Sequence, residues 1–147
     1  MRPNENLFIV IAGCGRLGAY LANRLSREGC SVVVVDIAEA AFSGLSPDFS
    51  GFKIEGDATE PNVLKGAKTA EADIFIGVTH NDNVNLMTAQ VAQKVFGVAK
   101  VFVRVFEPQR VELCHTLGIQ SVCPTTIAGE RMMQAIMDVT PEERKED

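Results

Sequence analysis

The sequence contains no tryptophan, one tyrosine and two histidines in 147 residues. Phenol and imidazole chemistry therefore has only three carriers, Tyr20, His80 and His115. The four cysteines, Cys14, Cys30, Cys114 and Cys123, form no C-x-x-C pair and match no zinc-ligand spacing. They read as reduced thiols of a cytosolic protein. Cys114 and His115 are adjacent, so at helical spacing they point about 100° apart and do not share a metal. The longest apolar runs, at 7–12 and 32–35, fall far short of the roughly 20 residues that a membrane-spanning helix needs. No basic segment leading to a cleavage site opens the sequence. Positive charge is also scarce: 14 Lys plus Arg against 19 Asp plus Glu give a net charge of −5, with no basic block. Nucleic acid is therefore not an expected partner.

What is present fits one globular domain: 46% of residues are apolar and 22% charged. From residue 7 onward, short β-branched runs alternate with stretches of helical period, the order of a parallel sheet covered by helices. Six strands are expected, at 7–12, 31–36, 52–55, 73–78, 100–105 and 120–123. The run Ser31-Val-Val-Val-Val-Asp36 should be an interior strand buried on both faces. Leu17, Leu21 and Leu25 mark one amphipathic helix; Val84, Met87, Val91 and Val95 mark another. Shorter helical pieces are expected at 38–42, 61–67 and 108–117, and a last helix at 125–139. The expected fold is a Rossmann-like, doubly wound, parallel six-stranded α/β sheet in a single domain over 1–139, with a charged, fraying tail over 140–147.

Directly after the first strand stands Gly13-Cys14-Gly15-Arg16-Leu17-Gly18, a G-x-G-x-x-G loop where strand turns into helix. Gly13 permits the tight turn, Gly15 lets the backbone approach a pyrophosphate, and Gly18 lets helix pack closely on strand. The amides at the helix start then face the phosphates, aided by the helix dipole. Asp36 closes the second strand 18 residues beyond Gly18, where a carboxylate accepts hydrogen bonds from both ribose hydroxyls. The same carboxylate repels a 2′-phosphate, which favours NAD or a plain adenine nucleotide over NADP. Arg16 either forks onto phosphate oxygens or is a solvated surface arginine. Asp57, in Gly56-Asp57-Ala58-Thr59, either bonds the adenine amino group or caps the next helix. The Thr79-His80-Asn81-Asp82-Asn83 loop carries the same two alternatives.

Taken together, the glycine loop, Asp36, the Gly-Asp-Ala-Thr segment, V-T-H-N-D-N-V-N-L-M from Val78 and V-F-V-R-V-F-E-P from Val101 resemble the RCK/KTN family. That family, of TrkA N-terminal type, comprises cytosolic regulators of potassium channels and transporters. The resemblance covers residues 7–138. It implies an adenine-nucleotide site lined by Gly13, Gly15, Arg16, Gly18, Asp36 and Asp57, with Arg104 near the phosphates or the far end of the ligand. Their neighbours Cys14, Leu17, Ile37, Ala58, Thr79 and His80 complete the expected binding set. NAD(H), ATP or ADP, or AMP, would act as an effector that changes the geometry of an assembled ring and so gates a potassium pathway. The implied partners are further copies of the chain and a membrane-embedded potassium transporter or channel subunit. The implied location is the cytoplasm, peripherally associated with the inner face of the cell membrane through that partner. Two positions depart from the family pattern, Asn83 after Asn-Asp and Thr125 after Pro124; the second removes the carboxylate on which a cation site there would rely.

The last helix points to assembly on its own. Ala128, Met132, Ala135, Ile136 and Val139 make one apolar stripe, and Met133 with Met137 a second beside it. Such an arc needs cover on more than one side, with the core expected on one and a second subunit on the other. The alternative is a helix tucked entirely into its own core.

A rival function is a small NAD-dependent oxidoreductase. Six strands and their helices leave no room for a substrate domain, and Tyr20 is followed by Asn23 and Arg24 rather than a Tyr-x-x-x-Lys pair. A further rival is a redox sensor acting through Cys14 at the positive helix start, for which no resolving thiol stands nearby.

Overall fold

The structure, a computed structural model, describes residues 6–144. Its strands are β1 (Phe8–Ala12), β2 (Ser31–Asp36), β3 (Phe52–Glu55), β4 (Ile74–Gly77), β5 (Lys100–Arg104) and β6 (Gln120–Val122). Between and after them run helices α1 (Arg16–Arg27), α2 (Pro61–Gly66), α3 (Asp82–Lys94), α4 (Arg110–Thr116) and α5 (Pro124–Met137). All six strands are parallel, in the order β3-β2-β1-β4-β5-β6. The chain leaves β1 in one direction to build β2 and β3, then returns to β1's other side to build β4, β5 and β6. The order reverses between β1 and β4, whose last residues Ala12 and Gly77 lie side by side. A crevice opens at the carboxyl ends of the strands at such a switch point.

Strand alternation sorts the apolar residues into two cores. Ile9, Ile11, Val32, Val34 and Ile76 face α1 and the 3₁₀ turn at Glu39–Gly44, whose Phe42 is buried against them. Val10, Ala12, Val33, Val35, Phe75, Val101 and Val103 face α2 and α3. The four valines of β2 are all buried, as an interior strand covered on both faces requires.

Two glycines fix where α1 enters. Gly13 has φ +111°, and a Cβ there would lie 2.7 Å from the Val78 carbonyl oxygen. A Cβ on Gly18 would lie 1.9 Å from the Gly13 carbonyl oxygen. The first turn of α1 is therefore in backbone contact with the loop it leaves.

The buried face of α3 is not the one the Val84, Met87, Val91, Val95 stripe predicts. Met87 and Val95 are exposed, and the residues turned inward are Asn85, Leu86, Thr88, Ala89 and Ala92. The reason is local satisfaction of polar groups. Thr88 donates its hydroxyl to the Val84 carbonyl at 2.8 Å, and Asn85 fills its hydrogen-bonding capacity as described below. Small alanines and the bare Cα of Gly77 let this helix sit close to the sheet: a Cβ on Gly77 would lie 3.2 Å from the Asn85 carbonyl oxygen.

The expectation that the core covers one side of α5 is also not met. No residue of α5 is buried, and Ile127, Met132, Met133, Ile136 and Met137 are all exposed. Beside the half-buried Leu17, Leu21 and Leu25, an apolar groove of about 310 Å³ runs over Ile74, Ile76, Phe102 and Val122. The domain thus leaves both an apolar helix and an apolar part of its sheet without cover. After α5, the first part of the charged tail is ordered as a 3₁₀ turn at Pro141–Glu143, with the Glu143 carboxylate accepting the Thr140 amide at 2.8 Å. Residues 145–147 of that tail lie outside the described residues.

Gly18→Ala should destabilise the domain by roughly 3 kcal/mol, the upper range for overpacking against an atom that cannot move aside. Urea denaturation of the variant against the parent chain measures this; a midpoint unchanged within error would refute the contact.

Candidate functional site

The crevice at the switch point is a pocket of about 330 Å³, within the range of small-molecule sites. One wall is the end of β2 with Asp36 and Ile37, together with the loop Gly56, Asp57, Ala58 and Thr59; the other is Val78, Thr79, His80 and Asn81; Gly13 and Gly15 form the floor. A larger cavity of about 660 Å³ lies around Phe8, Ser31, Phe52 and Lys68, at the opposite edge of the sheet. It has no glycine loop, and open α/β sheets bind ligands at the carboxyl edge, so the smaller pocket is the candidate site.

Asp36 holds the floor in place. One carboxylate oxygen accepts the Cys14 amide at 2.8 Å and the other accepts the Ala38 amide at 2.8 Å. The Gly13 amide is taken by the Val35 carbonyl at 2.8 Å. These two loop amides, which precede α1, therefore face β2. The first helical bond of α1 runs from the Ala19 amide to the Gly15 carbonyl, leaving the amides of Arg16, Leu17 and Gly18 ahead of it as anion donors. Each Asp36 oxygen keeps a second lone-pair direction for a ribose hydroxyl. The backbone approach at Gly15 and the carboxylate beside it fit an adenosine diphosphate skeleton.

Asp57 accepts both the Thr59 hydroxyl at 2.7 Å and the Thr59 amide at 2.9 Å. These bonds, the hydroxyl first, hold its carboxyl below the usual carboxylate range. It makes a turn within the loop and does not cap α2, whose N-cap is Glu60. The carboxylate still lines the pocket.

On the opposite wall, Asn85 is fully buried and makes four hydrogen bonds. Its oxygen accepts the Thr79 amide at 2.8 Å and the Thr79 hydroxyl at 2.6 Å, and its nitrogen donates to the carbonyls of Thr79 and Arg104. Sequence reasoning omitted this residue from the site because it lies inside the helix. Its one signal was a polar side chain on the face that must pack against Gly77. Asn81 caps α3 by accepting the Val84 amide at 3.1 Å, so its loop serves as both cap and pocket wall.

Of the expected binding residues, the structure brings Gly13, Gly15, Asp36, Ile37, Asp57, Ala58, Thr79 and His80 to one pocket. It places the others elsewhere. Arg104 lies beneath the wall, its Nη2 donating to the carbonyls of Val78 at 3.1 Å and Thr79 at 2.9 Å, with its guanidinium 4.7 Å from the Phe106 ring centre. Burial lowers its pKa from the ordinary arginine value, and it braces the Thr79 loop from behind. Arg16 lines a separate shallow depression with Tyr20 and Asn23. Leu17 faces the apolar groove, and Gly18 packs on Gly13. Cys14 is buried, and its thiol is pushed up to about 11, first by burial and then by the Asp36 charge. A thiol so placed stays protonated at neutral pH, which removes the basis for a Cys14 redox sensor.

The pocket wall is tied to the next crossover as well. Asp82 accepts the Phe106 amide at 2.9 Å and the Glu107 amide at 3.3 Å, and Arg110 lies 3.8 Å from its carboxylate while donating to Asn83. The Cys123 thiol, at the N-cap of α5, reaches the Phe106 carbonyl at 3.8 Å.

Comparison with known proteins places this geometry in a family. The Trk system potassium uptake protein TrkA of Streptomyces coelicolor is 34% identical over 131 residues, covering 89% of this chain. The chain spans 59% of that relative's length. Among solved structures, the Kef C-terminal domain of Shewanella denitrificans in its AMP-bound form has a TM-score of 0.76 at 18% identity, covering 90% of this chain and 83% of that one. The GsuK channel bound to NAD has a TM-score of 0.71 at 23% identity, covering 88% of this chain and 23% of that one. These structures share the six-stranded, doubly wound fold. The TrkA-N domain model matches residues 9–125, from β1 to the first turn of α5, and the chain belongs to the TrkA-N domain family.

Proposed function

We propose that this domain is the nucleotide-sensing part of a cytosolic regulator of potassium uptake, and that NAD(H) or ATP/ADP, with AMP possible, is its effector. The observation that carries the reading is the pocket itself: a glycine floor, α1 amides ahead of the first helical bond, and Asp36 at the ribose position. Support comes from the relatives, one of which bears the name of a potassium uptake protein, and from neighbours solved with AMP and NAD. The binding set is the eight pocket-lining residues of the expected list, with Asn85 and Arg104 positioning the wall.

An oxidoreductase is the weaker reading. Tyr20 is exposed on α1 and His115 lies on α4, both away from the pocket lining. His80 is then the only imidazole in reach, with neither lysine nor tyrosine among the lining residues. A regulator needs only differential binding: the ligand favours whichever conformation of the assembly it contacts better. The hydrogen bonds from Thr79 through Asn85 and Arg104, and from Asp82 to Phe106 and on to Cys123, give the pocket a physical connection to the root of α5. That helix and the groove beside α1 are two uncovered apolar surfaces of one domain. We therefore read α5 as the contact through which copies assemble into a dimer or larger ring, docked on a membrane-embedded potassium transporter or channel at the cytoplasmic face. No helix among the described residues is long and apolar enough to cross a membrane, so a partner would supply the membrane attachment.

NAD⁺, NADH, ATP, ADP or AMP should raise the melting temperature of the protein by mass action, with NADP⁺ giving little or no shift. A protein whose melting is indifferent to all of them would contradict the sensor. Asp36→Ala should weaken every adenosine ligand about tenfold or more in titration calorimetry, since it removes ribose bonds and releases the Cys14 amide; unchanged affinity would remove its role. Sedimentation should find the parent chain dimeric or larger and the Met132→Glu, Ile136→Glu double variant monomeric with unaltered circular dichroism. A monomeric parent chain would end the proposal that α5 assembles copies.

A further inference from the structure

The pocket has a charge problem if it holds a nucleotide. Asp36 and Asp57 are its acidic lining residues, and the ligand adds phosphate charge. The arginines expected near the phosphates do not line it: Arg16, the first residue of α1, lines a neighbouring depression that shares Gly15 with the pocket, and Arg104 is turned onto the Val78 and Thr79 carbonyls. His80 is the one lining side chain able to carry positive charge. Its ring stands over the floor, with Nε2 3.5 Å and Cε1 3.6 Å from the point where a Cβ on Gly15 would sit. The ring thus covers the place where the backbone is bare and where a pyrophosphate would meet the amides of α1.

From this placement we infer that His80 is the phosphate ligand of the pocket and that it binds phosphate as the imidazolium, so that nucleotide binding takes up a proton. The inference rests on the nucleotide reading above and deepens it. Imidazole is the side chain whose charge changes near neutral pH, and a hydrogen bond from a charged donor to a phosphate oxygen is about twice as strong as a neutral one. The charged groups around the ring are Asp36 at the end of β2 and Asp57 in the loop after β3, both across the pocket. Asp82 stands at the start of α3, already bonded to the Phe106 and Glu107 amides, Arg104 lies behind the wall, and Arg16 stands at the start of α1, on the depression that shares Gly15 with the pocket. The acidic groups outnumber the cations that face the pocket, so the surroundings do not oppose a positive ring. His80 is itself exposed at the pocket mouth and makes none of the loop-bracing bonds described for Thr79 and Asn85. Replacing it should leave the fold intact.

The test is calorimetric titration of the parent chain and His80→Gln with NAD⁺, ADP and adenosine, between pH 6 and pH 8, each in two buffers of different ionisation enthalpy. NAD⁺ carries a pyrophosphate whose charge is constant over this range. The terminal phosphate of ADP does titrate, and comparison with the variant cancels that contribution. The parent chain should bind the phosphorylated ligands about tenfold more tightly at pH 6 than the variant does, with proton uptake that the variant lacks, while adenosine binds both alike. Imidazole resonances, assigned by the loss of one of the two histidines, should show His80 titrating at higher pH when the ligand is saturating. Phosphorylated ligands that bind parent and variant with the same affinity and the same pH slope, or more tightly to the variant, would overturn the role of His80 and leave the nucleotide site standing. A parent chain that binds none of the three ligands at any pH would overturn the nucleotide reading itself and this inference with it.

Discussion

The close approach of α1 to the end of β1 is the constraint on which the site depends. Gly18 lies so near the Gly13 carbonyl that no side chain fits between them, and Gly13 in turn lies against the Val78 carbonyl at the end of β4. Three backbone segments are thereby brought together at the one point in the sheet where the strand order reverses. The helix amides left ahead of the first helical bond open at that point and nowhere deeper. Asp36 then locks the arrangement from the β2 side by accepting the Cys14 amide. A residue suited to ribose recognition thus also builds the loop beneath it.

Opposite this rigid floor, the second wall is held by polar groups buried behind it. Asn85 and Arg104 converge on the carbonyl of Thr79, and Asp82 ties the same region to the Phe106 loop. Buried hydrogen bonds of this kind give a loop one conformation, and they resist any change that breaks only some of them. A ligand in the pocket pressing on His80 and Thr79 would therefore act on a network that extends to α4 and the start of α5. Under the nucleotide reading the floor would supply affinity, and the wall has the connections through which affinity could be coupled to shape.

The domain is incomplete on its outer surface. An apolar part of the sheet next to α1 and nearly the whole of α5 are exposed, so that the chain as a monomer leaves much of its apolar surface in water. Both surfaces lie on or beside elements linked to the pocket wall. Assembly and ligand response would in this way draw on the same part of the molecule.

Much of this was legible in the sequence because it is governed by local rules. The short β-branched runs located all six strands within a residue or two, since such runs alternating with helical stretches have few other uses. The glycine loop and Asp36 could be read because the spacing of glycines is set by the backbone contacts just described, which any side chain would break. What the sequence could not give was decided by packing between distant segments. The inner face of α3 was misread because Asn85 and Thr88 look solvent-facing until their partners, Thr79, Arg104 and the Val84 carbonyl, are known. The family resemblance puts Arg104 near the phosphates or the far end of the ligand, but the direction its side chain takes depends on which carbonyls lie behind it. The exposure of α5 could not be read from its apolar stripe either, because a stripe records that a helix needs cover and is silent on whose. Sequence alone therefore determined the order of elements, the glycine floor and the carboxylate at the end of β2. The tertiary structure decided which way each side chain turned, because the energy of a buried polar group depends on its partners.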